Sequence, residues 1–183
     1  FRDVSMREFE KIYNMLGIRF DSYTPESFFN NRMRPTLERL RALGLARLSE
    51  DALIVPLDDY DMPPLMLQKS DESSVYATRE ICAAEYCWEK YRFEKALYVV
   101  GSVQKLHFRQ VKKVLELMGY QWADRIEHVD FGLLKFKDAS TGRARKGSTR
   151  TGEMISLEDV LNEGIRRAEQ KVRQNLERFE DVP

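Results

Sequence analysis

Two stretches of this chain hold side chains whose types and spacing can do chemistry. The first is the loop Lys135–Gly152, with Lys135, Lys137, Arg143, Arg145, Lys146 and Arg150 against a single acid, Asp138. Gly142, Gly147 and Gly152 are spaced through it. Glycines let backbone N–H groups converge on an anion, and cationic side chains add charge-assisted hydrogen bonds, so the loop suits a phosphate. The same composition also fits a solvated basic loop. The second stretch is Gln68-Lys69-Ser70-Asp71, followed by Tyr76, Arg79 and Glu80. On a helix, Tyr76 and Glu80 lie one turn apart on the same face. A carboxylate there can hold a guanidinium, although the spacing fits an ordinary salt-bridged surface helix equally well.

The remaining inventory is lean. His107 falls inside a helical pattern and His128 near the start of a strand; both read first as structural residues. No Ser/His/Asp triad can be assembled. Cys82 and Cys87 are spaced as neither a zinc pair nor a redox motif, and no His-Glu-x-x-His run occurs, so no protein-bound metal is expected. The thiols read as reduced, as in a cytoplasmic protein.

Several elements must position these groups. Ser5 can cap a helix with Met6, Phe9, Ile12, Tyr13 and Leu16 on one face, ended by Gly17. Ile18–Tyr23 alternates like a short extended segment. A second helix runs from Pro25 to Leu43, with Phe28, Met33, Leu37, Leu40 and Leu43 as its stripe and Gly44 as its stop. Short strands are expected near 45–48 and 52–57, then at 65–69. A helix over 76–91, a core strand at 96–100, a helix ended by Gly119 and a strand over 126–136 complete a βαβαβ rhythm. A long amphipathic helix over 156–179 closes the chain, with Ser156 and Asp159 spaced as a capping box.

Bulk composition narrows the class. Apolar residues at 43% and charged residues at 33% describe a soluble globular protein. Thirty basic residues balance thirty acidic ones, so any contact with RNA must come from a local patch. No apolar run approaches the ~20 residues that span a bilayer, and no membrane partner is expected. The first residue is Phe, which suggests excision from something longer.

The chemistry-bearing stretches resemble one family. Gln68-Lys69-Ser70-Asp71 and Tyr76-Ala77-Thr78-Arg79-Glu80 are similar to the "KSDG…Y-x-T-R-D" signature of arginyl-tRNA synthetases. Tyr98-Val99-Val100-Gly101 with Gln104 and Leu106-His107-Phe108, and Glu127-His128-Val129 with Phe131-Gly132, resemble the strand and helix segments that follow. Ser148-Thr149-Arg150-Thr151-Gly152, then Leu157-Glu158-Asp159-Val160-Leu161, resembles "STRKG…L-x-D-L-L". The opening Phe9–Phe28, including Glu26-Ser27, fits the preceding segment.

The resemblance implies half of a Rossmann-type parallel sheet (nucleotidylyl transferase-like α/β) flanked by helices, with a small β-hairpin insertion and a long C-terminal helix. It implies a helical and hairpin part at 1–62, the second Rossmann half at 63–136, a "KMSKS"-type loop at 137–155 and the closing helix at 156–183. ATP-dependent attachment of arginine to tRNA follows, with Mg2+ accompanying ATP. Tyr76, Glu80 and Gln104 would meet the arginine side chain, His128, Phe131 and Gly132 the adenosine. Lys146, Ser148, Thr149 and Arg150 would grip the triphosphate. Glu80 stands where the family usually has aspartate, Gly147 where methionine is common, and no His-x-Gly-His element occurs. The expectation is therefore a synthetase fragment inactive by itself; the alternative is a non-catalytic module binding nucleotide, arginine or a partner protein.

Overall fold

The computed structural model describes residues 2–69, 76–132, 135–137, 144–146 and 156–180. The chain divides into two compact units, Thr24–Leu133 and a second made of Phe1–Tyr23 with Leu134–Pro183.

Within Thr24–Leu133, Pro25 precedes a 3-10 turn at Glu26–Phe29, which leads directly into α2, Asn30–Ala42 (α1, Arg2–Leu16, belongs to the other unit). Met33, Leu37 and Leu40 are buried as the stripe predicts, whereas Phe28 and Leu43 are about half exposed. Gly44 takes a left-handed φ of +69°, letting the Leu45 N–H bond the Leu40 carbonyl at 3.0 Å and close the helix. β1 (Arg47–Ser49) and β2 (Ala52–Val55) form an antiparallel hairpin turned by Glu50 and Asp51, both at positive φ.

β3, Leu65–Gln68, continues that antiparallel sheet by pairing with β2. This corrects the βαβαβ expectation, in which β3 was the first parallel strand. Its backbone groups are met by β2 across a short Pro-containing return, and alternation of strands and helices does not say which strands pair. α3 (Tyr76–Tyr91), β4 (Ala96–Gly101), α4 (Lys105–Leu117) and β5 (Ile126–Phe131) follow. β4 and β5 are parallel in register from Ala96↔Ile126 to Gly101↔Phe131, as a helix crossover requires. Ala96, Tyr98 and Val100 turn to the inner face, while Leu97 and Val99 are 58% and 65% exposed. The strand that reads as wholly core is thus buried on one face.

The core of this unit is built from Leu37 and Leu40 of α2, Val55 of β2, Leu67 of β3, Ile81 of α3 and Val114 and Leu115 of α4. Each such residue contributes roughly 1.5–3 kcal/mol by leaving water. Trp122, in a 3-10 turn at Gln121–Arg125, stacks on Trp88 at 5.6 Å between centroids. A polar node crosses the apolar core. Glu85 accepts from the Thr36 hydroxyl at 2.8 Å and the Tyr120 hydroxyl at 2.6 Å, with Arg39 at 3.1 Å.

In the other unit, α1 spans Arg2–Leu16, so Ser5 lies within the helix rather than capping it. The acid and base residues around it extend the helix one turn earlier than an apolar pattern shows. Gly17 ends α1 as expected, and Ile18–Tyr23 is not a strand. β6 (Lys135–Lys137) and β7 (Ala144–Lys146) form an antiparallel pair. The single strand expected over 126–136 therefore ends at Phe131, and the glycine loop expected over 137–152 includes paired backbone. α5, Leu157–Glu180, carries the predicted capping box: Ser156 Oγ accepts from the Asp159 N–H at 3.0 Å and donates to its carboxylate at 2.6 Å. No helix of the described residues is long and apolar enough to cross a membrane.

Candidate functional site

α3 begins where β3 has just ended, and its inner face fixes it. Ala77, Thr78, Ile81 and Ala84 are buried, and the Thr78 hydroxyl donates to the Leu67 carbonyl at 2.5 Å. With those positions committed to packing, Tyr76, Arg79 and Glu80 are left on the more open side. The Tyr76 hydroxyl bonds the Glu80 carboxylate. Burial, then the Glu80 bond and charge, push the phenol well above its ordinary range. Burial also raises the Glu80 carboxyl, opposed by the Tyr76 bond and aided by the charge of Glu26.

Glu26 was not among the expected pocket residues. It lies fifty residues upstream, and its Oε2 meets Arg79 Nη1 at 2.8 Å. The Nε of Arg79 is buried without a hydrogen-bond partner among the described residues. Two carboxylates and one guanidinium thus surround the Tyr76 phenol. The signal available in the sequence was Glu26-Ser27 in the opening segment of the resemblance.

Aromatic rings carry the site across to the parallel strands. Tyr76 lies 4.9 Å from the His107 ring; its neighbour Phe108 is 5.1 Å from Tyr98 and 4.7 Å from His128, stacked on the latter. Tyr98, on the inner face of β4, feels Cys87, Glu80 and Tyr76, and burial pushes its phenol up. His128 sits opposite Tyr98 in the register and bonds through Nε2 to the Val100 carbonyl at 2.9 Å. A carbonyl only accepts, so that nitrogen carries the proton. Phe131 ends β5 at the carboxyl edge, its Cε2 3.9 Å from where a Cβ on Gly101 would stand, and exposed Gly132 follows. Gln104 is half-buried immediately before α4, at the same end of β4.

The fold therefore brings Tyr76 and Glu80 into direct contact and joins them through the rings of His107 and Phe108 to His128. Gln104, Phe131 and Gly132 gather at the carboxyl ends of β4 and β5, where open α/β sheets take ligands. Lys146 lies in β7 of the other unit. Ser148, Thr149 and Arg150 lie outside the described residues, as does most of the basic loop.

A parallel strand–helix–strand with polar groups at its carboxyl edge defines a nucleotide-binding type of α/β domain. The family described as "tRNA synthetases class I (R), catalytic domain" matches residues 1–180, and the chain belongs to it. An arginine–tRNA ligase of Clostridium perfringens is 46% identical over the whole chain, and one of Clostridium botulinum (strain Alaska E43) is 45% identical. The chain spans 32% of the length of each. The crystal structure of arginyl-tRNA synthetase from Plasmodium falciparum superposes with a TM-score of 0.76 at 25% identity, over 98% of this chain and 29% of that one. The Thermus thermophilus arginyl-tRNA synthetase, at 18% identity and a TM-score of 0.60, shares the fold over 84% of the chain and 30% of its own length.

Proposed function

We propose that this chain is the second half of the nucleotide-binding catalytic domain of an arginine–tRNA ligase. One observation carries the reading: a phenol–carboxylate pair on α3 is linked by packed rings to the carboxyl edge of a parallel strand pair. Arginine's guanidinium is planar and permanently charged, so a carboxylate with a phenol beside it suits it. Glu80 and Tyr76 hold the guanidinium, with Gln104 at the pocket rim and the Glu26–Arg79 ion pair beside them. His128, Phe131 and Gly132 line the adenosine side. Resemblance to the family assigns Lys146, Ser148, Thr149 and Arg150 to the ATP phosphates, with Mg2+ arriving as part of the ATP substrate.

The arginine carboxylate attacks the α-phosphorus of ATP, forming arginyl adenylate as pyrophosphate leaves. The terminal hydroxyl of tRNA then takes the arginyl group and AMP departs. Neither step needs a protein nucleophile; positioning and charge stabilisation suffice. This fits a stretch without a triad. The chain by itself, lacking a His-x-Gly-His element, is inactive; the location is the cytoplasm.

The test is arginine-dependent ATP–pyrophosphate exchange. Exchange is expected from the full-length enzyme that contains this chain and not from residues 1–183 alone. In the full enzyme, Arg150→Ala should cut exchange strongly while arginine affinity changes little. Equal losses in both would remove Arg150 from the phosphate site.

A further inference from the structure

We propose that His107 is a positioning residue of the arginine pocket: it holds the Tyr76 ring from α4, and its buried Nε2 gains a hydrogen-bond partner when the pocket fills. The inference rests on the reading of Tyr76 and Glu80 as an arginine site.

Tyr76 is the first described residue of α3. Among the described residues, its ring contact is with His107, at 4.9 Å between centroids and 38° between planes. The orientation of the phenol over Glu80 is thereby tied to a side chain on another helix. The imidazole itself is an unexpected choice for that task. Its Nε2 is buried and has no hydrogen-bond partner among the described residues, whereas a phenylalanine would fill the space with no polar atom to satisfy. An orphaned buried nitrogen marks a place where something else completes the bonding. Burial lowers the proton affinity of His107, which keeps the ring neutral beside a pocket built for a cation. Gln104 lies one helical turn earlier on the same side of the start of α4. His107 therefore stands at the point where the α3 pair and the α4 entrance meet.

The backbone at this point is anchored by something other than the imidazole. Phe108, the next residue, is buried and packs on Tyr98 and His128. A substitution at 107 is thus read at the pocket rather than through loss of α4.

The experiment is ATP–pyrophosphate exchange by the full-length enzyme with His107→Phe, which keeps the ring and deletes the nitrogen, and His107→Gln, whose amide reaches the Nε2 position. His107→Phe should raise the KM for arginine about tenfold, the size of a lost hydrogen bond to a charged ligand. The KM for ATP should stay within about twofold, and His107→Gln should recover most of the difference. Wild-type arginine KM in His107→Phe overturns the inference. So does a uniform fall in kcat and both affinities with a lower melting temperature, which assigns the residue to packing. If His107→Phe does not fold, His107→Asn serves, since its amide mimics Nδ1 and leaves the Nε2 position empty. A raised arginine KM then supports the inference, and an unchanged one overturns it. Exchange independent of arginine in the wild-type enzyme defeats the pocket assignment itself, before any variant is compared.

Discussion

The Thr78 hydroxyl donates to the Leu67 carbonyl, and both residues are fully buried. Leu67 is the extra residue of a bulge, since Leu53 faces Gln68 while Ile54 faces Met66. A bulge residue falls out of the strand ladder, and Thr78 supplies the donor that its carbonyl would otherwise lack. One bond thus fixes the depth of α3 against β3, between Tyr76 and Glu80 of the proposed arginine site. Thr78→Val keeps the shape and removes the donor. It should cost about 1–3 kcal/mol in denaturant unfolding and raise the KM for arginine, because Tyr76 and Glu80 ride on the same turn. Thr78→Ser should restore both. An unchanged denaturation midpoint in Thr78→Val would show the bond to be idle.

Glu80 predicts a pH dependence. Its carboxyl is held above the ordinary value of 4.5, mainly by burial. A guanidinium binds the ionised form, so arginine affinity should fall as pH drops through this raised pKa, while ATP affinity follows a different curve. Glu80→Gln should weaken arginine binding and flatten that acid limb. An acid limb that survives the substitution would point to another group.

Tyr120 predicts an alkaline limit to stability. Its hydroxyl donates to Glu85 and accepts from Arg39 at 2.6 Å, and burial with the Glu85 carboxylate pushes its pKa up to about 12 from an ordinary 10.0. The group's contribution is complete below the unfolded value and is lost as pH rises from 10.0 towards about 12. Urea midpoints measured across that interval should drop in the wild-type protein and drop less in Tyr120→Phe. Parallel curves would remove Tyr120 as the cause.

The capping box predicts a local effect. Ser156→Ala removes the acceptor of the Asp159 N–H and should speed amide hydrogen exchange in the first turn of α5, at a cost of about 1 kcal/mol. Equal exchange rates in the two proteins would mean the turn is held by other contacts.

Much of this was legible in the residues. α3 and α4 lie where their apolar spacing puts them, because each buries one face against a common core, and Gly44 closes α2 as a C-cap glycine does. Strand pairing was not legible. The partner of β3 is decided by which backbone edge lies nearest in space, and the apolar run Leu65–Leu67 suits an antiparallel or a parallel neighbour equally. The Tyr76–Glu80 pair could be read because helical spacing alone brings it together. Glu26 could not, since its place beside Arg79 depends on how a 3-10 turn fifty residues away packs. His107 was read only as a helix residue; its meaning comes from one ring contact and one unmet nitrogen.

α3 carries the proposed arginine site along one side and core packing along the other, and this bears on any attempt to redirect that site. A mutagenesis library spread evenly over 76–85 would waste most of its members. Ala77, Thr78, Ile81, Ala84 and Glu85 are all under 9% exposed, so variants there mostly report misfolding. Diversity confined to 76, 79 and 80, with 26 varied alongside 79 because the two pair, should sample new ligand preferences on an intact scaffold.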